Sequence, residues 1–495
     1  MRYGAFWRRA ALLVVFVLVV GCSSGGLTAT LHSRDPAAGR PDVFIEVARV
    51  VETSFWSAEK IDPPTLLKGA LDGMESELRR QGGQISYQGD QAVISLNGHS
   101  KAIDLSSVDS IPDVVHTYTA LYSYLLQHQG TNGRQVNWQH RAIEGMVKAL
   151  DANSAFMPPH EFREMQEETR GSFGGIGIRI GLEDGQLVIV EPMEGTPAFK
   201  AGLKHGDHIV KIDGHPTTGL TLQEAVRRMR GPVGSRVILS IMRTGAPDTE
   251  DVPIVRAKIE IKTVESDILD GRVGYLKLRG FHETTLQETE KALGRLSQQQ
   301  IEGLILDLRN NPGGLLSQSV KVCNLFVEEG LVVVSTEGRV RNQNARFMAN
   351  GGGQYRHYPL IVLINAGSAS GSEIVAGALQ DLQKATLIGT KSYGKGSVQT
   401  IFPLQDGSGL RLTTAHYFTP SGRSIDHVGI LPDIELKNEG KDDRQLHMAH
   451  AIMKEALALT GRRKEAQQRP AIPVDTGVLK SVGRSMLATP PPSQE

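Results

Sequence analysis

Three serines, one lysine and a glycine-rich turn are the groups in this chain whose types and spacing could do chemistry together. Ser368, Ser370 and Ser372 fall within Asn365-Ala366-Gly367-Ser368-Ala369-Ser370-Gly371-Ser372-Glu373. A serine hydroxyl is a poor nucleophile until a base takes its proton. Lys395 stands between Gly394 and Gly396. A lysine acts as a base only when its pKa falls toward neutrality, which burial among apolar groups can supply. The third piece is Asp307-Leu308-Arg309-Asn310-Asn311-Pro312-Gly313-Gly314. Glycines at a strand-to-helix junction let backbone N–H groups approach a substrate carbonyl, which suits one half of an oxyanion hole. The N–H of Gly371 suits the other half. Taken singly, each piece is ordinary: a helix cap, a solvated loop, a turn. Together they point to acyl transfer through a Ser–Lys dyad.

The elements that must position these groups follow from pattern. Leu360-Ile361-Val362-Leu363-Ile364 has the length and branching of a buried strand. A small-residue turn and a helical pattern from Ile374 to Leu382 come next. Strand, tight turn, helix presents a nucleophile at a helix N-terminus, where N–H groups and the dipole favour developing negative charge. Gly303 to Leu308 reads as a second buried strand, followed by a helix from Leu315 to Phe326. Val273–Leu278 and Thr386–Gly389 are further strands, and Thr284–Leu296 is a helix. Such alternation over 258–440 predicts a parallel or mixed sheet covered by helices. Upstream, 42–170 reads as mainly helical with one hairpin at Ile85–Asn97. Its periodicity suits packing and docking rather than chemistry. Downstream, 441–465 reads as a helix and 466–495 as a disordered tail.

Bulk properties exclude some classes. Formal net charge is zero over 495 residues, which argues against a nucleic-acid binder. The two cysteines, Cys22 and Cys323, can build neither a disulfide framework nor a metal cluster. No metal and no organic cofactor is expected. Arg2, Arg8 and Arg9 precede an apolar run from Ala10 to Val20. That run is shorter than the ~20 residues a spanning helix needs and has the form of a secretory signal. It ends Val19-Val20-Gly21-Cys22-Ser23, which resembles a bacterial lipobox. The expectation is a lipoprotein-type signal at 1–22, lipidation of Cys22, a tether at 23–41 and a membrane held by a lipid anchor. Ser23 after the cysteine resembles outer-membrane sorting on the periplasmic side of the envelope.

Residues 171–257 change texture to short strands and glycine turns. Phe173-Gly174-Gly175-Ile176-Gly177 leads into a strand, and Pro197-Ala198 … Ala201-Gly202-Leu203 … Gly206-Asp207 … Ile212-Asp213-Gly214 follows. This order resembles a PDZ domain. Gly174, Gly175, Ile176 and Gly177 could offer N–H donors to a peptide carboxylate, and the next strand could pair with that peptide.

The combined motifs resemble the carboxy-terminal processing, or tail-specific, serine peptidases. They are the glycine loop, the Asp307–Gly314 run, Ser368–Asp381, Tyr393-Gly394-Lys395-Gly396-Ser397-Val398-Gln399, Thr419–Ile425 and Gly429–Asp433. The resemblance covers about residues 40 to 460. It implies a crotonase-like α/β core in an α/β and α+β multidomain chain, with a PDZ domain ahead of the core. It implies Ser370 as nucleophile, Lys395 as base and Gln399 as support. Gly313 or Gly314 with Gly371 would form the oxyanion hole, and Glu373 and Ser392 would support the site. The PDZ domain would hold a disordered substrate tail and gate the dyad. An adaptor protein and a homo-oligomer are compatible with this pattern. Two other readings keep the same residues in different roles. One is a Ser-His-Asp hydrolase using His416 or His427 with Asp426 or Asp433. The other is a non-catalytic PDZ scaffold lipoprotein.

Overall fold

The computed structural model describes residues 40–130, 136–243, 248–270, 272–440, 442–467 and 475–488. The expected signal, Cys22 and nearly all of the tether lie outside these residues. Pro41 onward forms one compact unit.

Four helices, Asp42–Ser54, Pro63–Arg80, Ile111–His128 and Trp138–Lys148, build the first part. Each carries an apolar face at helical spacing, and Phe44, Leu67, Leu71, Tyr118 and Trp138 are fully buried. Pro63–Arg80 and Trp138–Lys148 cross at glycines. A Cβ on Gly145 would sit 2.0 Å from the Gly69 carbonyl oxygen, so the backbones touch there. Instead of a lone hairpin, three strands form an antiparallel meander, Gln84–Gln88, Gln91–Leu96 and His99–Asp104. Asn97 and Gly98, both at positive φ, make its second turn. This part does not have a core of its own: Leu404, Leu410 and Leu412, from far downstream in the chain, are buried in it. The docking role read from its periodicity is therefore a shared hydrophobic core.

The part of the chain after residue 260 centres on a six-stranded sheet. Its order is Val264–Leu269, Val273–Leu278, Gly303–Asp307, Leu360–Ile364, Ala385–Gly389, Ile434–Glu435. The first pair is antiparallel and the rest are parallel. Every residue of Gly303–Asp307, Leu360–Ile364 and Ala385–Gly389 is buried, as unbroken apolar runs require of strands covered on both faces. Leu304, Leu306 and Val362 pack with the helices Thr285–Gln298, Leu316–Asn324 and Gly371–Asp381. Ile305, Ile361 and Leu363 face Ala449, Ile452 and Met453 of Arg444–Gln467. A second sheet runs Ala345–Met348, Val332–Gly338, Gly409–Phe418, Ser397–Pro403.

One expectation is corrected at the C-terminus. Within the tail read as disordered, Thr476–Ala488 is a helix. Leu479 and Val482, nearly a turn apart, are buried against the sheet. Gly483 lets the helix seat, since a Cβ there would lie 2.2 Å from Ile434 Cδ1. Lys480 pairs with Asp433 at 2.9 Å.

Residues 178–255 carry a separate five-strand path, with the order Glu250–Val255, Arg236–Met242, His208–Ile212, Gln186–Pro192, Ile178–Glu183. Its entry and exit, Ser172–Gly175 and Ala257–Glu260, pair with each other as an antiparallel ribbon. Among the described residues no helix is long and apolar enough to cross a membrane.

Candidate active site

The parallel strands Gly303–Asp307 and Leu360–Ile364 end side by side. In open parallel sheets, ligands bind beyond the carboxyl ends of strands. The two turns leaving these ends hold the serines and the glycine pair. Ser370 precedes the helix Gly371–Asp381 with φ 51° and ψ −111°, a left-handed backbone that a serine seldom adopts. The three serines separate by what their hydroxyls touch. Ser368 Oγ donates to Leu308 O at 2.8 Å, and Ser372 Oγ donates to Asn311 O at 2.9 Å. Both are fully enclosed. Neither hydroxyl is spare, which leaves Ser370, half-buried at the turn, as the candidate nucleophile.

One buried carboxylate ties the serine turn to the lysine turn. Glu373 is 0 % exposed. Its Oε2 accepts from the Ser370 N–H at 2.8 Å and the Lys395 N–H at 2.9 Å. Its Oε1 accepts from Ser392 Oγ at 2.5 Å and the Gly394 N–H at 2.6 Å. Ser392 Oγ in turn accepts from the Ile430 N–H at 2.6 Å. Four donors on one charged acceptor make these bonds strong. Burial, with a smaller contribution from the Arg411 charge, pulls the Lys395 ammonium below the usual lysine value.

Across the cleft, Asn311 fixes the glycine turn. Its Oδ1 accepts from the Gly313 N–H at 2.9 Å, and its Nδ2 donates to Leu278 O at 3.0 Å. Its carbonyl also accepts from the Ala369 N–H at 3.0 Å. Gly313 φ is +98° and a Cβ there would lie 2.8 Å from Gly371 N, so only glycine fits. Because the Gly313 N–H is spent on Asn311, the expected choice between two glycines narrows. Gly314 N lies 3.5 Å from where a Gly371 Cβ would stand. Gly313 thus shapes the turn, and Gly314 and Gly371 remain the candidates for an oxyanion-binding N–H pair. Pattern reading treated Asn311 as turn chemistry; its role is visible only from partners distant in sequence.

Gln399, on Ser397–Pro403, donates through Nε2 to Ser397 Oγ at 2.8 Å. The register shifts between Val398 and Gln399, and such a bulge re-aims a side chain. The histidines of the rival triad lie elsewhere. His416 packs edge-on to Trp56 at 4.4 Å and faces Asp426 at 3.4 Å. The His427 side chain is 92 % exposed. Asp433 accepts from the Leu387 N–H at 2.9 Å and pairs with Lys480. Among the described residues no hydrogen bond joins any of them to Ser370. Among the described residues no group of three or more His, Cys, Asp or Glu could hold a metal ion. Cys323 is buried and its thiol is pushed far above the usual range by desolvation, so it is inert.

In the inserted domain, Gly174 O accepts from the Gly231 N–H at 3.1 Å, and Ile176 O accepts from the Ala198 N–H at 2.9 Å. These bonds, with Gly177 at φ +75°, set the loop ahead of Ile178–Glu183. That strand is the free edge of its sheet. An edge strand displays unpaired N–H and C=O groups to which an extended peptide can add. The helix Leu222–Met229, capped by a reciprocal Thr221–Glu224 pair, lies beside it.

The comparisons agree with this architecture. A model of peptidase family S41 matches residues 272–436, and a PDZ-domain model matches residues 174–254. A carboxy-terminal-processing protease of Bartonella bacilliformis is 48% identical over 297 residues, covering 59% of this chain and 68% of that protein. A carboxyl-terminal-processing protease of Synechocystis sp. is 41% identical over 301 residues, covering 59% and 70%. Among solved structures, a photosystem II D1 C-terminal processing protease is similar at 27% identity, covering 80% of this chain and 93% of that one, with a TM-score of 0.43. The chain belongs to peptidase family S41 and carries a PDZ domain.

Proposed function

We propose that this chain is a serine endopeptidase that cuts proteins near their C-terminus through a Ser370–Lys395 dyad. The observation that carries the reading is the Glu373 carboxylate, which holds the backbone N–H groups of both residues at 2.8 and 2.9 Å. Neutral Lys395 would take the proton of Ser370 Oγ as the hydroxyl attacks the scissile carbonyl. The N–H groups of Gly314 and Gly371 would receive the carbonyl oxygen, and Lys395 would then protonate the leaving amine. Gln399 supports the lysine side of the cleft. A substrate tail would add to Ile178–Glu183, its carboxylate at Gly174–Gly177, and this docking would gate the dyad.

The test compares wild type, Ser370→Ala and Lys395→Ala on an unfolded protein whose C-terminus is either free or amidated. Both variants should lose activity by on the order of 10³-fold or more. Amidation should raise KM by roughly tenfold. Unchanged cleavage by Ser370→Ala would end the proposal, and a wild type that binds tails but never cuts, even with an adaptor supplied, would make the chain a scaffold.

A second expected result concerns pH. Lys395 must be neutral to act, so kcat/KM should climb as pH rises through a value below the ~10.4 of free lysine. The folded state disfavours the proton on Lys395. The charged side chain therefore costs stability at neutral pH, and that cost fades as pH rises from the folded pKa toward the ordinary one. Lys395→Met should melt higher than wild type at pH 7 while cleaving nothing; a lower melting temperature would contradict the desolvation argument.

We also place the enzyme on the periplasmic side of a cell envelope, anchored through lipid on Cys22. Metabolic labelling with an alkyne fatty acid should mark the wild type and not Cys22→Ser. Equal labelling of the two would remove the anchor.

A further inference from the structure

The peptide units on either side of Lys395 set where its side chain goes. Each is planar, so holding both fixes φ and ψ at the Cα between them, and with them the direction in which Cβ leaves. The unit before Lys395 is held twice. Its N–H donates to Glu373 Oε2 at 2.9 Å, and its carbonyl, Gly394 O, accepts from the His427 N–H at 2.8 Å. The unit after Lys395 is held by a different carboxylate. Its N–H belongs to Gly396 and donates to Asp426 Oδ1 at 3.2 Å. Gly396 is buried, and a Cβ there would lie 2.1 Å from Asp426 N, so the two backbones touch and only glycine fits.

Asp426 is itself fixed. Ile425 beside it is fully buried and Ile430 nearly so, which roots this loop in the core. The second carboxylate oxygen, Oδ2, faces His416 Nδ1 at 3.4 Å and His427 Nε2 at 3.5 Å. His416 packs edge-on against Trp56, whose backbone N–H donates to Thr413 O at 3.1 Å. The histidines thus lie on one oxygen and the lysine turn on the other.

We propose, on the Ser–Lys reading above, that Asp426 is a second positioning residue for Lys395, its Oδ1 holding the Gly396 N–H while Glu373 holds the Lys395 N–H. A lysine carries its ammonium on a flexible four-carbon stem, so an error in the Cα–Cβ direction grows toward Nζ. The base must come within about 2.6–3.2 Å of the proton it takes. This role differs from the one Asp426 would have in a Ser-His-Asp triad. Here it needs an acceptor aimed at an amide, and there it would need a charge beside an imidazole.

Two substitutions separate these roles. Asp426→Asn and Asp426→Ala both remove the charge, and only the first keeps an oxygen for the Gly396 N–H. In the full chain, Asp426→Ala should lower kcat on an unfolded substrate by on the order of 10²-fold, with KM within about twofold. Asp426→Asn should recover at least about tenfold of that loss, since a neutral acceptor is weaker than a charged one but aimed alike. Hydrogen–deuterium exchange over residues 393–399 should speed by roughly tenfold in Asp426→Ala while the strand Leu360–Ile364 stays as protected as before, a local change that a general loss of stability would not produce. A rate for Asp426→Ala within about threefold of wild type would overturn the assignment, and so would equal losses in the two variants. Inactive Ser370→Ala and Lys395→Ala controls would then leave the dyad standing, whereas wild-type activity in Ser370→Ala would overturn both. Should Asp426→Ala fold poorly, glycolic acid placed at 396 puts an ester where the amide was and removes the N–H alone. It should lower kcat by at least about tenfold, and an unchanged rate would overturn the role of Asp426.

Discussion

Glu373→Gln is expected to abolish most of the activity without touching a reacting atom. The four groups that Glu373 accepts from are all donors, two on each carboxylate oxygen. An amide can serve only one of these pairs. Whichever way it turns, its NH₂ then faces two further donors in a fully buried site. Hydrogen bonds to a charged acceptor contribute about 1.5–3 kcal/mol each, and buried donors left unpaired add their own desolvation cost. The serine and lysine turns would move apart to relieve the contact. A displacement of 1 Å at a reacting centre can cost on the order of 10²-fold, so kcat should fall by at least that factor. KM should change little, because the hydrogen-bond partners of Glu373 all lie outside the PDZ domain. Steady-state kinetics on a tailed unfolded substrate, with calorimetry alongside, provide the check. A rate within threefold of wild type would show that the carboxylate does not position the proposed dyad.

The largest loss of stability is expected from Arg309→Met. Asp307 is 0 % exposed at the end of a central strand. Its carboxylate receives Arg309 Nε at 3.0 Å and Nη2 at 2.7 Å, the Arg309 N–H at 2.9 Å and the Tyr275 hydroxyl at 2.7 Å. The same guanidinium reaches Asp443 and Gln445 at the start of the C-terminal helix. Asp443 is held below the usual carboxylate range by the Arg309 bond, against the opposing pull of burial. Removing the arginine leaves a buried carboxylate without its counter-charge, a change that costs about 3–5 kcal/mol. Denaturant unfolding should show a midpoint lowered accordingly. Asp307→Asn combined with Arg309→Met should recover part of the loss, since replacing both partners of a buried pair is often close to neutral. No recovery in the double variant would mean that the helix contact, rather than the charge, dominates.

Much of the fold was legible because its strands are unbroken apolar runs. Gly303–Asp307 and Leu360–Ile364 stand where runs of four and five small or apolar residues predict them. The tail helix was not legible. Its apolar residues are few, and they lie between polar and proline-rich stretches that read as disorder; only the docking partner, Ile434, gives them a purpose. The meander escaped for a related reason, since His99–Asp104 is largely polar and pairs on one side only. At the site, residue types and order were legible and hydrogen-bond commitments were not. Ser368 and Ser372 look as reactive as Ser370 until their hydroxyls are seen on carbonyls 60 and 61 residues away. Gly313 and Gly314 are indistinguishable by type, and Asn311 separates them.

The ribbon that joins the PDZ domain to the rest has a further consequence. Residues 172–175 and 257–260 lie side by side, and the Ile261 N–H donates to Gly171 O at 2.9 Å just beneath them. The two ends of the insert therefore meet at a single point on the host. Closing the host chain across that point costs little loop entropy, because the ends are already held together. The domain is thus a cassette: removable with a short linker, or exchangeable for another domain with neighbouring termini, with no strand of the catalytic sheet rethreaded. Families built on such a joint can change what they recognise by recombination while leaving the chemistry untouched.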